Sequence, residues 1–332
     1  MMNQRRVSLI VGAAICLCGA KLNAQTPGAG SCDVPVVVAD YLNQPVRNLL
    51  PTDFSVRLDG SITPVAGASI DAGPKRISIV VDASSKVPAE EWKLEAEMAP
   101  ELVSHARPGD QLFLVVVGNE SASGAFASSA ELTARLRDIG TSRRNGAPDE
   151  KIYDALAEAA RHLDAAQFGD TIFLFGHYQD SGSTTSLDTL RNLILEKRLR
   201  FFGMSFQDRF ADIPGGFKPN KPIPGFHLAA LEGLSGETGY YFSFHAVRDL
   251  AYPGQLPLFK NFLSDLYTWM AEPYRVQIST PAIVAGRTLE ISISEMGARK
   301  VNKNGLHYPH TLYSCTQQQM KSPDIRNGTP AQ

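Results

Sequence analysis

The residues best suited by type to do chemistry are Asp82, Ser84 and Ser85, in the polar turn Asp82-Ala83-Ser84-Ser85-Lys86. A carboxylate and two hydroxyls at so short a spacing supply hydrogen-bond acceptors and donors for a polar ligand. Ser84 could also draw on His177 and Asp180 as base and orienting acid, the arrangement of a serine hydrolase. Such triples arise by chance in any α/β cleft. The chain has no Gly-x-Ser-x-Gly elbow, and Gly203-Met-Ser-Phe-Gln207 lacks the second glycine. Hydrolysis is therefore the weaker reading. His307-Tyr-Pro-His310 is not a zinc motif, because Pro309 and strand alternation deny the two rings a shared face. Both read as surface histidines.

What positions Asp82 is the run before it. Ile77, Ile79, Val80 and Val81 form an apolar stretch interrupted by Ser78 alone. That is the pattern of a strand buried on both faces, at the centre of a parallel sheet. In open α/β sheets ligands sit outside the carboxyl ends of the strands, which is where Asp82 stands. Residues 111–117, 171–175, 200–206 and 240–244 read as further strands of the same block. Between them, Trp92, Ala96, Ala99 and Val103 fall at helical spacing, with Pro100 arguing for a kink. Ile152, Ala155, Leu156, Ala159 and Leu163 make a second helical stripe. Residues 130–139, 187–194, 228–238 and 259–270 supply the remaining helices. Outside the block, the alternation of Phe54, Val56 and Leu58 stops at Asp59-Gly60, a hairpin signal. Residues 34–38, 274–279, 289–294 and 306–313 also read as strands, residues 40–45 (DYLNQP) as a turn, and residues 212–225 as a long Pro/Gly-rich loop overhanging the Asp82 end.

The chain has 332 residues, 43% of them hydrophobic and 20% charged, enough for one large or two medium cores. A net charge of −2 provides no electrostatic attraction to nucleic acid or an anionic membrane. Arg5-Arg6, the apolar run 7–20 and the small residue Ala24 follow the order of a secretory signal peptide. No later segment approaches the ~20 apolar residues of a spanning helix. Cys16 and Cys18 would leave with the signal. Cys32 and Cys315 remain, and two cysteines in an exported chain favour a disulfide over a metal or redox site.

The sequence resembles a von Willebrand factor type A domain of the secreted bacterial, acidobacterial VWFA-related kind. The resemblance rests on Asp82-x-Ser84, on the phrase Val38-x-Asp40, Pro45-Val46, Leu49, Asp53-Phe54 and Val56, on Pro108-Gly109-Asp110 before a strand, and on Leu228-x-x-Leu231 followed by Thr238-Gly239. It implies a Rossmann-like α/β fold with a mostly parallel sheet and helices on both faces. It further implies a divalent-cation site built from an Asp-x-Ser-x-Ser turn, a threonine before a later helix and an Asp after a later strand. Asp82 and Ser84 match the turn, but Lys86 replaces its last serine. The threonine position falls near Glu150 and the later Asp at Gly176-His177, with Asp180 four residues on. Magnesium and manganese demand oxygen ligands in near-octahedral array, which an ammonium cannot supply. The resemblance therefore implies a degenerate site with no cofactor, in which Lys86 neutralises Asp82 and Glu150. His177, Tyr178 and Asp180 are left as a binding loop.

The expected organisation is a signal peptide (1–24), an N-terminal β-rich flank (25–74), a von Willebrand factor A-like domain (75–271), a C-terminal β-rich flank (272–316) and a disordered tail (317–332). The flanks are expected to form one small β-sandwich-like unit closed by a Cys32–Cys315 disulfide. The implied function is a non-catalytic interaction module, secreted or held in the periplasm or cell envelope, that binds another exported or envelope protein. It has no nucleic-acid partner and no transmembrane segment in the mature chain. The alternative is a Mg- or Mn-dependent adhesin, or a hydrolase, using the cleft around Asp82, Ser84 and Glu150.

Overall fold

The computed structural model describes residues 30–118, 125–142, 150–176, 180–206, 228–238, 242–245, 250, 254–280, 286–294, 301–302, 305–313 and 315. The expected signal segment 1–24, the expected loop 212–225, His177, Tyr178 and the expected tail 317–332 lie outside them.

The central strand β5 (Arg76–Asp82) is buried from Ile77 onward, as its uninterrupted apolar run requires. It lies between β6 (Gln111–Val117) and β7 (Thr171–Phe175), and β8 (Arg200–Phe206) and β9 (Phe242–His245) extend the sheet beyond β7. The order is β6-β5-β7-β8-β9 and every pairing is parallel. After β6 the chain crosses back over β5 to continue on its other side. This makes a topological switch point at the carboxyl end of β5, where such sheets place their ligands.

Helices cover both faces. On one side Ile77, Ile79 and Val81 pack under α1 (Ala89–Ser104), α2 (Ser129–Ser142) and α6 (Gln255–Ala271), through Met98, Leu102, Leu132, Leu263 and Leu266. On the other, Val80, Ile172 and Leu174 pack under α3 (Ile152–His162), α4 (Leu187–Glu196) and α5 (Leu228–Thr238). This is the α/β arrangement that the resemblance implies. Pro100 does not end α1; the helix runs four residues past it, with the ring buried in the core.

The two ends of the chain build a β-sandwich together. One sheet has the order β12-β1-β10-β4 and the other β13-β11-β2-β3. The strands are β1 (Gly30–Val38), β2 (Phe54–Leu58), β3 (Ser61–Thr63), β4 (Val65–Ile70), β10 (Tyr274–Thr280), β11 (Arg287–Ile293), β12 (Leu306–His307) and β13 (Thr311–Leu312). N-terminal β1 pairs with C-terminal β10, and β2 with β11, so neither flank forms a sheet alone. Cys32 and Cys315 are bridged, with Cα atoms 5.4 Å apart. Residues 306–313 do not make one strand. Pro309, with no N–H to donate, separates β12 from β13, which join different sheets. Nor is His307 a surface residue: it is half-buried, its ring packed against Trp269 with centroids 5.4 Å apart.

The joint between sandwich and α/β unit lies at the amino end of the parallel sheet. Tyr274 opens β10 opposite Ile70, so the chain enters and leaves the α/β unit side by side. Arg275 bridges Asp33 and Asp71, and Arg107 reaches both Asp110 and Glu272. Arg76 pairs with Asp170.

Candidate functional site

Asp82 closes β5 and is fully buried. Its Oδ1 accepts a hydrogen bond from the Ser84 amide at 3.0 Å, and the Ala83 amide donates to the Val117 carbonyl at 3.1 Å. The carboxylate thus shapes the turn that carries Ser84, which is buried as well. Two glycines make room for this turn. A Cβ on Gly118 (φ +79°) would stand 2.7 Å from the Ser84 Cα, and one on Gly176 (φ +152°) 2.5 Å from the Asp82 Cβ. No side chain fits at either place without moving the backbone around it.

Lys86 departs from expectation. Val87 is buried and pins the end of the turn, while Ser85 and Lys86 face solvent. Among the described residues Lys86 forms no ion pair, so it does not neutralise Asp82 or Glu150. Residue type marked it as a counter-charge, but the turn directs it outward.

Glu150 is buried just ahead of α3. Its carbonyl accepts from the Ser181 amide at 2.8 Å, and its carboxylate accepts from the Ser181 hydroxyl at 3.4 Å. Asp180, expected to line a binding loop, instead accepts the Tyr153 amide at 3.0 Å and the Ser183 hydroxyl at 2.5 Å. Ser183 in turn accepts the Asp154 amide at 3.1 Å. Lys151 stands at the N-cap of α3 and provides no capping side chain, so the loop after β7 satisfies these orphan donors from outside the helix. Asp154 completes the clamp by accepting the amides of Thr184 (3.0 Å) and Thr185 (2.8 Å). Burial opposes the charge on Asp154, but these bonds outweigh it and hold its carboxyl below the ordinary value.

No family model matches the chain, and no curated protein matches it. Solved structures do. A von Willebrand factor type A protein from Catenulispora acidiphila aligns at 10% identity with a TM-score of 0.44, covering 87% of this chain and 75% of that one. Manganese-loaded TRAP protein of Plasmodium vivax aligns at 12% identity and TM-score 0.39, covering 69% and 96%. Human COPII-coat protein Sec24c aligns at 12% and 0.39 over 74% of this chain, which spans only 44% of Sec24c. Likeness at this level carries no argument about activity.

The site must therefore be judged on its own donors, and they do not fit a divalent cation. An octahedral site draws oxygens from several loops onto one point. Gly176, where the resemblance implies a second carboxylate, has no room for one. Glu150 turns to Ser181, Asp180 caps α3, and no three His, Cys, Asp or Glu among the described residues converge as metal ligands.

Two further acids, Glu91 and Glu95 in the first two turns of α1, are buried at this end. Sequence reasoning passed over them. The available signal was their register: residues 91, 95, 98 and 102 fall on one helical face, so both glutamates share the stripe of Met98 and Leu102.

Proposed function

We propose that this chain is a secreted, non-catalytic protein-interaction module of the von Willebrand factor A type, working without a bound divalent cation. It recognises another exported or envelope protein through the loops at the carboxyl end of the parallel sheet. The observation that carries the reading is the approach of Gly176 to Asp82, which fills space a second carboxylate ligand would need. Burial of Ser84 beneath Gly118 supports a non-catalytic role, since a nucleophile must be reachable. The Cys32–Cys315 bridge fits an oxidising compartment outside the cytosol.

The test is capture from a native envelope fraction by the mature chain, in EDTA and in magnesium, beside the variant Ser85→Trp at the exposed turn. Equal capture in both buffers, reduced by Ser85→Trp, is the expected result. Capture that requires magnesium restores the adhesin reading, and capture indifferent to Ser85→Trp moves recognition away from this end.

A further inference from the structure

Residues 39–45 close a hairpin beside the last two turns of α6. Ala39 bridges Pro45, the Asp40 amide donates to the Gln44 carbonyl at 2.9 Å, and the Asn43 amide donates to the Asp40 carbonyl at 3.1 Å. Tyr41 and Leu42 take the two central turn positions, and Asn43 follows with φ +62°. This is the three-residue loop in which a turn precedes a left-handed residue. Such central positions ordinarily hold Gly, Pro, Asn, Asp or Ser. Here they hold two large apolar side chains, 68% and 78% exposed. A local rule broken without compensation inside the fold points to function.

The tip is rigid. Asp40 Oδ1 accepts the amides of both Leu42 (2.8 Å) and Gln44 (2.9 Å). The Gln44 side chain donates to Asp265 on α6 at 2.7 Å, and the Trp269 indole donates to the Asn43 carbonyl at 3.1 Å. Apolar anchors fixed before binding lose little entropy when they dock, and tyrosine is a favoured anchor. By contrast, Ile62 is equally exposed but stands singly on the three-residue strand β3, an ordinary surface residue.

Two acids, Asp40 and Asp265, border the tip. Asp40 and Asp265 lie close enough that the charge of Asp40, after burial, helps push the Asp265 carboxyl above its ordinary value. An acidic border repels anionic lipid headgroups and attracts a basic protein surface.

We propose that Tyr41 and Leu42 form a second docking surface, independent of the carboxyl-end loops, that inserts into an apolar pocket bordered by Lys or Arg on a partner protein. The probe is the full mature chain carrying Leu42→p-benzoylphenylalanine, irradiated in the native envelope fraction, with Ile62→p-benzoylphenylalanine as control. One discrete protein adduct is expected at position 42 and none at 62. Its cross-linked peptide should carry Lys or Arg beside apolar residues, and the yield should fall when salt screens the border. Leu42→Ser, at an exposed site that leaves folding intact, should weaken binding of the identified partner about tenfold or more. No adduct above the control, an adduct with a second copy of this chain, or a salt-insensitive adduct lacking basic residues overturns the proposal. So does sedimentation with neutral phosphatidylcholine vesicles that Leu42→Ser abolishes, which would make the tip a lipid anchor. Capture lost with Ser85→Trp and untouched by Leu42→Ser overturns this surface and leaves the carboxyl-end reading standing; the reverse pattern does the opposite.

Discussion

At the amino end of the parallel sheet Lys75, Asp170 and Arg200 are buried, and cations and anions alternate. Lys75 pairs with Asp71, Arg76 with Asp170, and Tyr267 donates to Asp110 at 2.8 Å. Arg200 donates to the carbonyls of Gly169, Trp269 and Met270. At the carboxyl end the buried Asp, Glu, His, Lys and Arg side chains among the described residues are Asp82, Glu91, Glu95 and Glu150, all acids. Helix direction accounts for the difference. In this topology helices begin at the carboxyl end of the sheet, where free N–H groups and the positive end of the dipole favour acids. They finish at the amino end, where Arg200 meets the last carbonyls of α6. Acids gathered at a strand end are therefore no evidence of a metal by themselves. A metal site needs convergence, whereas Asp82 is held by the Ser84 amide and Glu150 turns to Ser181.

The contrast predicts unequal mutational costs. Arg200→Ala strands several buried carbonyls at the amino end and should cost about 3–5 kcal/mol in denaturant unfolding. A loss below about 1 kcal/mol would mean that water replaces the guanidinium there.

Acid should strike the same end. Burial first, and His310 nearby, hold His307 down to about 4 from its ordinary 6.5. Its folded value lies below its unfolded one, so folding favours the neutral ring. That contribution is complete above the unfolded value and is lost as pH falls from 6.5 toward about 4. The loss is on the order of 3 kcal/mol at most, less for the part of the ring that reaches water. In His307→Gln this segment of the pH–stability curve should flatten; an unchanged slope assigns the acid sensitivity to other groups.

At the carboxyl end, Gly176→Ala should cost about 1–3 kcal/mol, because the new methyl meets the Asp82 side chain. Gly233→Ala in α5, with open space around it, should be neutral or slightly stabilising. Equal melting temperatures for the two variants would show that the strand ends part easily. The smallest effect belongs to Lys86→Ala, within about 0.5 kcal/mol, as for an exposed side chain with no ion pair among the described residues. A larger loss would return Lys86 to the role of internal counter-charge.

Much of the frame was legible because burial on both faces leaves a direct mark. The apolar runs of β5, β6 and β7 appear where continuous hydrophobicity placed them, and the alternation of Phe54, Val56 and Leu58 marks a half-buried strand. The site was harder to read. Spacing along a turn does not say which way Lys86 points, and nothing local to Asp180 shows that it caps a helix 27 residues earlier in the chain. Gly176 read as a missing ligand. Its reason is a contact with Asp82, which only the pairing of β5 with β7 creates. Arg200 likewise gains its role from α6, about seventy residues away.

The most direct test of the account is a calorimetric titration of manganese into residues 25–332, repeated with Asp82→Ala. Asp82 is held in a backbone turn by the Ser84 amide, and Gly176 leaves no room beside it for a second carboxylate. The expected result is no saturable heat in either protein and no metal-dependent rise in melting temperature. Saturable low-micromolar binding that disappears in Asp82→Ala would contradict the account, and would place a working cation site at the carboxyl end of the sheet.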